Sequence, residues 1–230
     1  MDYDRYKKYF LVRSMAPRYV GIALVILGAG LFFIGYFFYM YFLLAIGAVL
    51  AVAGAIVGWL PFAGCADNNE ITDTIERLSR DAVDDALERT GLRAKLADNL
   101  PPIKLTGFAF DRENPYIRRG TDGHWRTSDV CVTSLIFTKL GVCAVTNEIS
   151  LAESRSKENI TELHVSDFDD ARFELTEANV VYGKEVEKAT FSNLVFYKDG
   201  ERVFSVPAER TSATEIEISD FLRFCNAQRR

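Results

Sequence analysis

The stretch GYFFYMYF, Gly35 to Phe42, sits inside a long uncharged run, and the number of times the chain crosses an apolar layer around it decides the architecture. From Tyr19 to Ala66 there is no Asp, Glu, Lys or Arg, a run of 48 residues. As a single helix it would be about 70 Å long at about 1.5 Å per residue. A hydrocarbon core about 30 Å thick needs only about 20 residues. Two spans joined by a tight turn fit that length, and the aromatic residues of the quoted stretch mark the turn. Tyr at headgroup depth keeps its ring in the apolar layer and its hydroxyl in water. The sequence therefore predicts a transmembrane hairpin over 19–63, with spans at 19–39 and 42–60 and Trp59 as an interface anchor. A buried helix of a soluble protein is disfavoured, because the remaining chain is too small to bury so long an apolar run.

Glycines recur within both spans. Gly21, Gly28 and Gly35 repeat every seven residues in the first, and Gly47, Gly54 and Gly58 mark the second. Small residues on one stripe let two helix backbones approach closely. The stripe is a helix-packing seam, either within the hairpin or as a face for self-association.

The flanks set the orientation. Residues 1–18 carry Arg5, Lys7, Lys8, Arg13 and Arg18 against Asp2 and Asp4, a net +3, while the turn between the spans has no charge. Arg77 and Arg80 follow the second span. Basic flanks stay in the cytoplasm, so a multi-pass protein of the cell membrane with both termini cytoplasmic is expected. A competing feature is LPFAGC, Leu60–Cys65, which is similar to a lipoprotein signal with Cys65 as the lipidated residue. Two spans precede it, Phe62 stands where an aliphatic residue is usual, and a secretory signal has a single short apolar stretch.

The formal net charge is −5, which leaves −8 after the basic N-terminus is set aside. An acidic domain of this kind argues against nucleic acid as a partner. Cys65, Cys131, Cys143 and Cys225 are scattered without a CxxC pair, and the two histidines, His124 and His164, lie far apart. That spacing offers no zinc site and fits free thiols in a reducing compartment.

After the spans, residues 67–100 read as an amphipathic connector helix. Asp67 and Glu70 stand at capping-box spacing, and Ile71, Ile75, Leu78, Ala82 and Ala86 form one stripe. From Ile103 the period changes to two. VCVTSLIFTKLGVCAVTNEISL, Val130–Leu151, reads as a hairpin turning at Thr138–Gly141, with Ile136 facing Cys143 and Ala144, Thr146 and Glu148 pointing outward. FSNLVFYKDGERVFSV is a second hairpin turning at Asp199-Gly200. The chain closes with an amphipathic helix in which Ile218, Phe221, Leu222 and Cys225 share a stripe and Ser219 is a candidate N-cap. One core is expected to hold Val130, Ile136, Val145, Ile149, Phe196, Phe204, Phe221 and Leu222.

The order of FTKLGVCAVTNEISL, ITELHVSDFDDARFE, FYKDGERVFSV and a terminal amphipathic helix resembles bacterial pleckstrin-homology-like (PH-like) domains, which often carry a two-span hairpin. The resemblance covers about 103–228 and rests on element order. It implies a roughly seven-stranded antiparallel partial barrel plugged by its C-terminal helix, and so a mostly-β α+β membrane protein. It also implies a binding or scaffolding domain rather than a catalyst.

The segment DRENPYIRRGTDGHWR supplies the candidate contact surface: Arg112, Arg118, Arg119, Trp125 and Arg126. Arginine forks with interleaved rings suit a lipid phosphate or an anionic peptide, and the same arginines can instead pair with Asp111, Glu113 and Asp122. No phosphate-binding loop, nucleophile elbow or calcium-loop spacing occurs, so no enzymatic activity, cofactor or metal is expected. The expected role is a membrane-anchored, non-enzymatic binding or scaffolding domain for a protein partner or anionic lipid headgroups. Two alternatives stand beside it: a membrane effector whose β-domain senses a nucleotide-like ligand and assembles the spans, and an exported lipoprotein.

Overall fold

The computed structural model describes residues 2–11, 16–60, 63–97, 100–110, 115–120, 122–182 and 185–228. The chain divides into two compact units, one of Leu11–Cys65 and one of Met1–Phe10 with Ala66–Arg230.

The smaller unit is a helical hairpin of α2 (Ala16–Phe37) and α3 (Tyr41–Trp59), both long and apolar enough to cross a membrane. Helix α2 begins three residues before the uncharged run, because Pro17 fits the first helical turn, where its missing N–H is not needed. Its end is a left-handed cap. Tyr39 takes φ 56°, Met40 N–H donates to Gly35 C=O at 2.8 Å, and Tyr39 N–H donates to Tyr36 C=O at 3.4 Å. This two-bond closure usually employs Gly, since a Cβ in that conformation costs about 1–2 kcal/mol.

Along the hairpin the seam glycines lie chiefly against backbone, with the Leu24 side chain also close to Gly54. A Cβ on Gly28 would lie 2.5 Å from Ala51 N, and one on Gly47 would lie 2.5 Å from Phe32 N. Gly21 meets Gly54 and Gly58 at one end, and Gly35 meets Leu44 at the other. Gly30, on another face of α2, has open space around it.

The larger unit begins with α1 (Tyr3–Leu11) and resumes with α4 (Asn68–Ser79), α5 (Ala82–Thr90) and a 3-10 turn at Leu92–Lys95. The predicted single connector is therefore broken twice. Arg80 and Asp81 form a turn between α4 and α5, and Gly91 ends α5 at φ 63°. The Asp67 carboxylate caps α4 by accepting the Glu70 N–H at 2.7 Å. The Glu70 side chain does not reach back to the cap; it takes Arg5 of α1 at 2.7 Å.

Among the described residues nine strands follow in antiparallel pairs. β1 (Ile103–Phe108), β4 (Asp129–Thr138), β5 (Gly141–Ser150) and β6 (Ser156–His164) make a four-stranded sheet in the order β1-β4-β5-β6. The short hairpin β2 (Ile117–Arg119) and β3 (Trp125–Thr127) is inserted between β1 and β4. β7 (Asp170–Tyr182), β8 (Glu185–Lys198) and β9 (Glu201–Pro207) make a second sheet, and α6 (Ser212–Gln228) closes the chain. Ile136 pairs with Cys143, as the alternation predicts. Asp199 and Gly200 take φ 50° and 82° in the β8–β9 turn, the left-handed pair that a two-residue hairpin needs.

The expected single core is corrected. Leu135, Phe137, Val142 and Ala144 on one face of the four-stranded sheet pack with Phe168, Phe196 and Phe221, so Ala144 points inward. Phe137 stacks on Phe221 at 4.2 Å. The opposite face is buried too: Val130 and Val132 lie under α1 and α4, and Ile136, Cys143 and Val145 under α5. Ile149, Phe204 and Leu222 are only partly buried. The N-cap expected at Ser219 is also corrected. Helix α6 starts at Ser212, where the Thr211 hydroxyl accepts the Thr214 N–H at 3.2 Å, and Ser219 lies mid-helix.

The hairpin geometry separates glycines by face. Gly28→Val and Gly47→Val should each overpack the seam, at a cost of about 1–3 kcal/mol. Gly30→Val should leave the hairpin intact. Cross-linking of cysteine pairs placed across α2 and α3, in micelles, reads the difference, and equal cross-linking in all three variants would contradict the seam.

Candidate binding surface

The β2–β3 hairpin carries the arginines, and their register fixes what each can reach. Ile117 faces Thr127, Arg118 faces Arg126, and Arg119 faces Trp125. Two opposed cations at Arg118 and Arg126 would repel unless each had its own partner, and each does. Residues 111–114, with Arg112, Asp111 and Glu113, lie outside the described residues, as do Arg13 and Phe62.

Arg126 forms a two-pronged pair with Asp122, Nη1–Oδ1 2.9 Å and Nη2–Oδ2 2.6 Å, with its own side chain only 10% exposed. These bonds hold the Asp122 carboxyl far below the usual carboxylate range, and the His124 N–H adds to the effect. The same pair raises the Arg126 guanidinium. Arg118 lies over the Tyr9 ring, 4.1 Å from its centroid, and donates to the Tyr9 carbonyl. The Tyr9 hydroxyl donates to Asn68 Oδ1 at 2.7 Å, and burial pushes it up against the opposing charges of Arg126 and Arg118. Arg119 is the most open of the three. It donates to Gly123 C=O at 3.2 Å, lies 5.8 Å from the Trp125 ring centroid, and reaches Glu187 only at 3.9 Å.

The hairpin is thus a clamp on the N-terminal helix. Arg5–Glu70, the Tyr6 hydroxyl to Thr74 Oγ1 at 2.8 Å, and Lys7 over the Tyr116 ring at 5.4 Å extend the same attachment. Sequence reasoning singled out the arginines but missed Tyr9 and Asn68. The spacing of aromatics at Tyr6, Tyr9 and Phe10 was the available signal, a stripe of i, i+3 and i+4 along about one helical turn of a basic segment.

Two clefts of comparable size open on this unit. One, of about 490 Å³, lies among the 3-10 turn Leu92–Lys95, the β4–β5 turn and the end of β6. Cys143 lines it, but burial, and then the charge of Glu162, push its thiol up, so it is not poised as a thiolate nucleophile. The other, of about 510 Å³, lies among α4, β1, β3 and β8 and shares Trp125 and Arg126 with the arginine hairpin. Phe110 stacks on Phe191 there at 4.8 Å. The Ser192 hydroxyl on this cleft is buried without a hydrogen-bond partner among the described residues.

The acidic run after β6 has structural duties. Asp167 accepts the His164 N–H at 2.8 Å, and Asp169 accepts the Asp199 N–H at 2.8 Å. Among the described residues no group of three or more His, Cys, Asp or Glu is placed to hold a metal. The four cysteines carry no disulfide among the described residues, and three of them are buried. No protein-family model, curated protein or solved structure matches the chain.

Because its folded pKa is depressed, Asp122 contributes stability that is complete above about pH 5 and fades as pH falls below about 4. Asp122→Ala should cost about 1.5–3 kcal/mol at neutral pH, the range for hydrogen bonds to a charged group. It should also flatten the acid limb of melting temperature against pH. An unchanged acid limb would show that the pair does not link folding to protonation.

Proposed function

We propose that the chain is an integral membrane protein whose α2–α3 hairpin crosses the bilayer, with a non-enzymatic cytoplasmic domain that binds or scaffolds a protein partner. The observation that carries the topology is the composition of one core cluster. Tyr6, Tyr9 and Phe10, before the hairpin, pack with Ala66, Ile71, Val130 and Val132, after it. A chain whose two flanks share one core must leave and return on the same side, which requires an even number of crossings. The net +3 of the N-terminal flank assigns that side to the cytoplasm.

A PH-like assignment of the domain is supported by a four-stranded antiparallel meander, a three-stranded one, and a C-terminal helix that inserts Phe221 between them. The arginines favour a protein over lipid headgroups as the partner. Arg126 and Arg118 are already engaged by Asp122 and Tyr9, so among the described arginines of this segment Arg119 alone offers a largely open fork. Export as a lipoprotein fares poorly on the same core argument. Cleavage before Cys65 would remove Tyr6, Tyr9 and Phe10, each at most 5% exposed, from the domain. The effector reading loses its motive as well, because the glycine stripe is used inside the hairpin rather than presented to a neighbour.

Reporter fusions test the topology. A fusion at residue 40 should be active only outside, and one at the C-terminus only inside; the reverse result would overturn the assignment. Phe10→Ala should destabilise the domain by about 3–5 kcal/mol, as for other buried Phe truncations. The binding role is read in whole cells with photoreactive residues at exposed positions Lys104, Leu140 and Val186. Discrete protein adducts are expected from at least one, and adducts to lipid alone, or none, would overturn it.

A further inference from the structure

In an antiparallel strand the N–H and C=O of one residue point to the same side, and successive residues alternate. The Ser192 carbonyl accepts the Ala208 N–H at 3.1 Å, on the side away from β7. By alternation Val186, Lys188 and Thr190 also turn their backbone groups away from β7. Strand β9 occupies that lane only from Asn193 to Lys198, where its pairing with β8 runs out at Pro207. Among the described residues nothing pairs with the outward groups of Val186, Lys188 and Thr190.

The same argument applies to β1. The Thr106 carbonyl accepts the Glu209 N–H at 2.7 Å, so the even-numbered residues of β1 face away from β4. Among the described residues nothing pairs with the outward backbone groups of Lys104 and Phe108, two residues that line the second cleft. The two open edges meet where β9 ends against β1. There a Cβ on Gly107 would lie 2.5 Å from the Pro207 carbonyl carbon, so the backbones nearly touch. Beyond that corner they bound a cleft of about 510 Å³, within the range of ligand-binding clefts. Phe110 and Phe191 supply its apolar wall, and the unpartnered Ser192 hydroxyl lies beside them.

We propose that this cleft binds an extended peptide segment of a partner protein, which adds as a strand in the vacated lane of β8 and places an apolar side chain against Phe110 and Phe191. Strand addition takes affinity from backbone bonds and specificity from alternate side-chain pockets. The aromatic wall and the open backbone groups of Thr190 line one cleft, and the lane continues from it along β8 past Lys188 to Val186. Free backbone donors and acceptors in register select a polypeptide over a lipid or a small anion, which could satisfy one or two of them but not a row. The aromatic wall, with Arg126 already neutralised by Asp122, selects an apolar side chain over a charged one. This rests on the binding-domain reading and narrows its partner to an extended segment.

The test uses the full-length protein in nanodiscs and a phage-displayed library of random 12-residue peptides. Selected peptides should bind and should slow hydrogen exchange at Val186, Lys188 and Thr190. Thr190→Pro removes one outward N–H without touching a bond to β7, a substitution edge strands tolerate. It should weaken binding at least tenfold, whereas Thr190→Val, with its backbone intact, should bind like the parent. If Thr190→Pro fails to fold, the exchange pattern of the parent decides. Peptides that bind Thr190→Pro equally well, or that protect another surface, would overturn the cleft and leave the binding domain standing. Recovery of no binding peptide would overturn the cleft as well, while photo-adducts at Leu140 without any at Lys104 or Val186 would locate the partner elsewhere.

Discussion

Burial of Tyr6, Tyr9 and Phe10 against the chain that resumes at Ala66 is the constraint on which the rest depends. It ties both ends of a 55-residue excursion, Leu11–Cys65, to one core. The two tyrosines also end in hydroxyls, and both reach α4, at Thr74 and Asn68, so their burial leaves no polar atom stranded. Arg118 completes the attachment from the far side by covering the Tyr9 ring. Removing the N-terminal helix would therefore expose apolar surface on the sheet and leave a guanidinium without its ring and carbonyl at once. That coupling makes the N-terminus a part of the domain and not a tail ahead of it.

The same helices explain why the four-stranded sheet differs from a simple half-exposed one. Val130 to Phe137 is a nearly continuous apolar or small run, and β4 is buried along both faces. Such a run is the signature of a strand covered twice, whereas strict alternation marks one face in water. The alternation of β5 from Ala144 to Ser150 read as outward-facing, because Thr146, Glu148 and Ser150 dominated it. Ala144 carries little apolar weight in such a pattern, yet it is buried in the main core cluster that also holds Phe196 and Phe221. The register was legible in the turn chemistry and in the pairing of Ile136 with Cys143. Which face met which layer was not, since it depended on α1 and α5 docking from distant parts of the sequence.

The arginine hairpin shows where sequence reading runs out. Composition places Arg118, Arg119, Trp125 and Arg126 together in a Gly- and Pro-bearing loop, and the structure shows that loop to be a short hairpin. Whether they are free is a tertiary question. Asp122 is a near neighbour of Arg126 and was a foreseeable partner, but the Tyr9 ring lies 109 residues from Arg118. No local pattern encodes that contact. The helix break at Arg80–Asp81 was equally hidden, because both residues suit a helix. The turn there lets α4 and α5 cover separate stretches of one sheet, with Ile71 over Val130 and Val132, and Ala86 over Ile136 and Cys143.

Open strand edges are ordinarily guarded by charge, shortness or a covering element, because unpaired backbone groups template aggregation. β6 follows that practice with Lys157, Glu158 and Glu162 along an exposed edge. The distal half of β8 is guarded differently. Its β7 partner runs the whole length, the β2–β3 hairpin covers its inner face through Ile117 and Trp125, and among the described residues the lane beyond the end of β9 is left open. Extending β9 by a few residues would have filled that lane. Instead the chain turns off at Pro207, crosses β1 at Gly107 and commits Ala208 and Glu209 to single bonds with Ser192 and Thr106. A strand cut short by a proline, next to a glycine that lets two backbones nearly touch, holds the two edges apart at a fixed corner. The corner of the cleft is therefore set by backbone geometry, so a segment added there as proposed would meet it preformed, at little ordering cost.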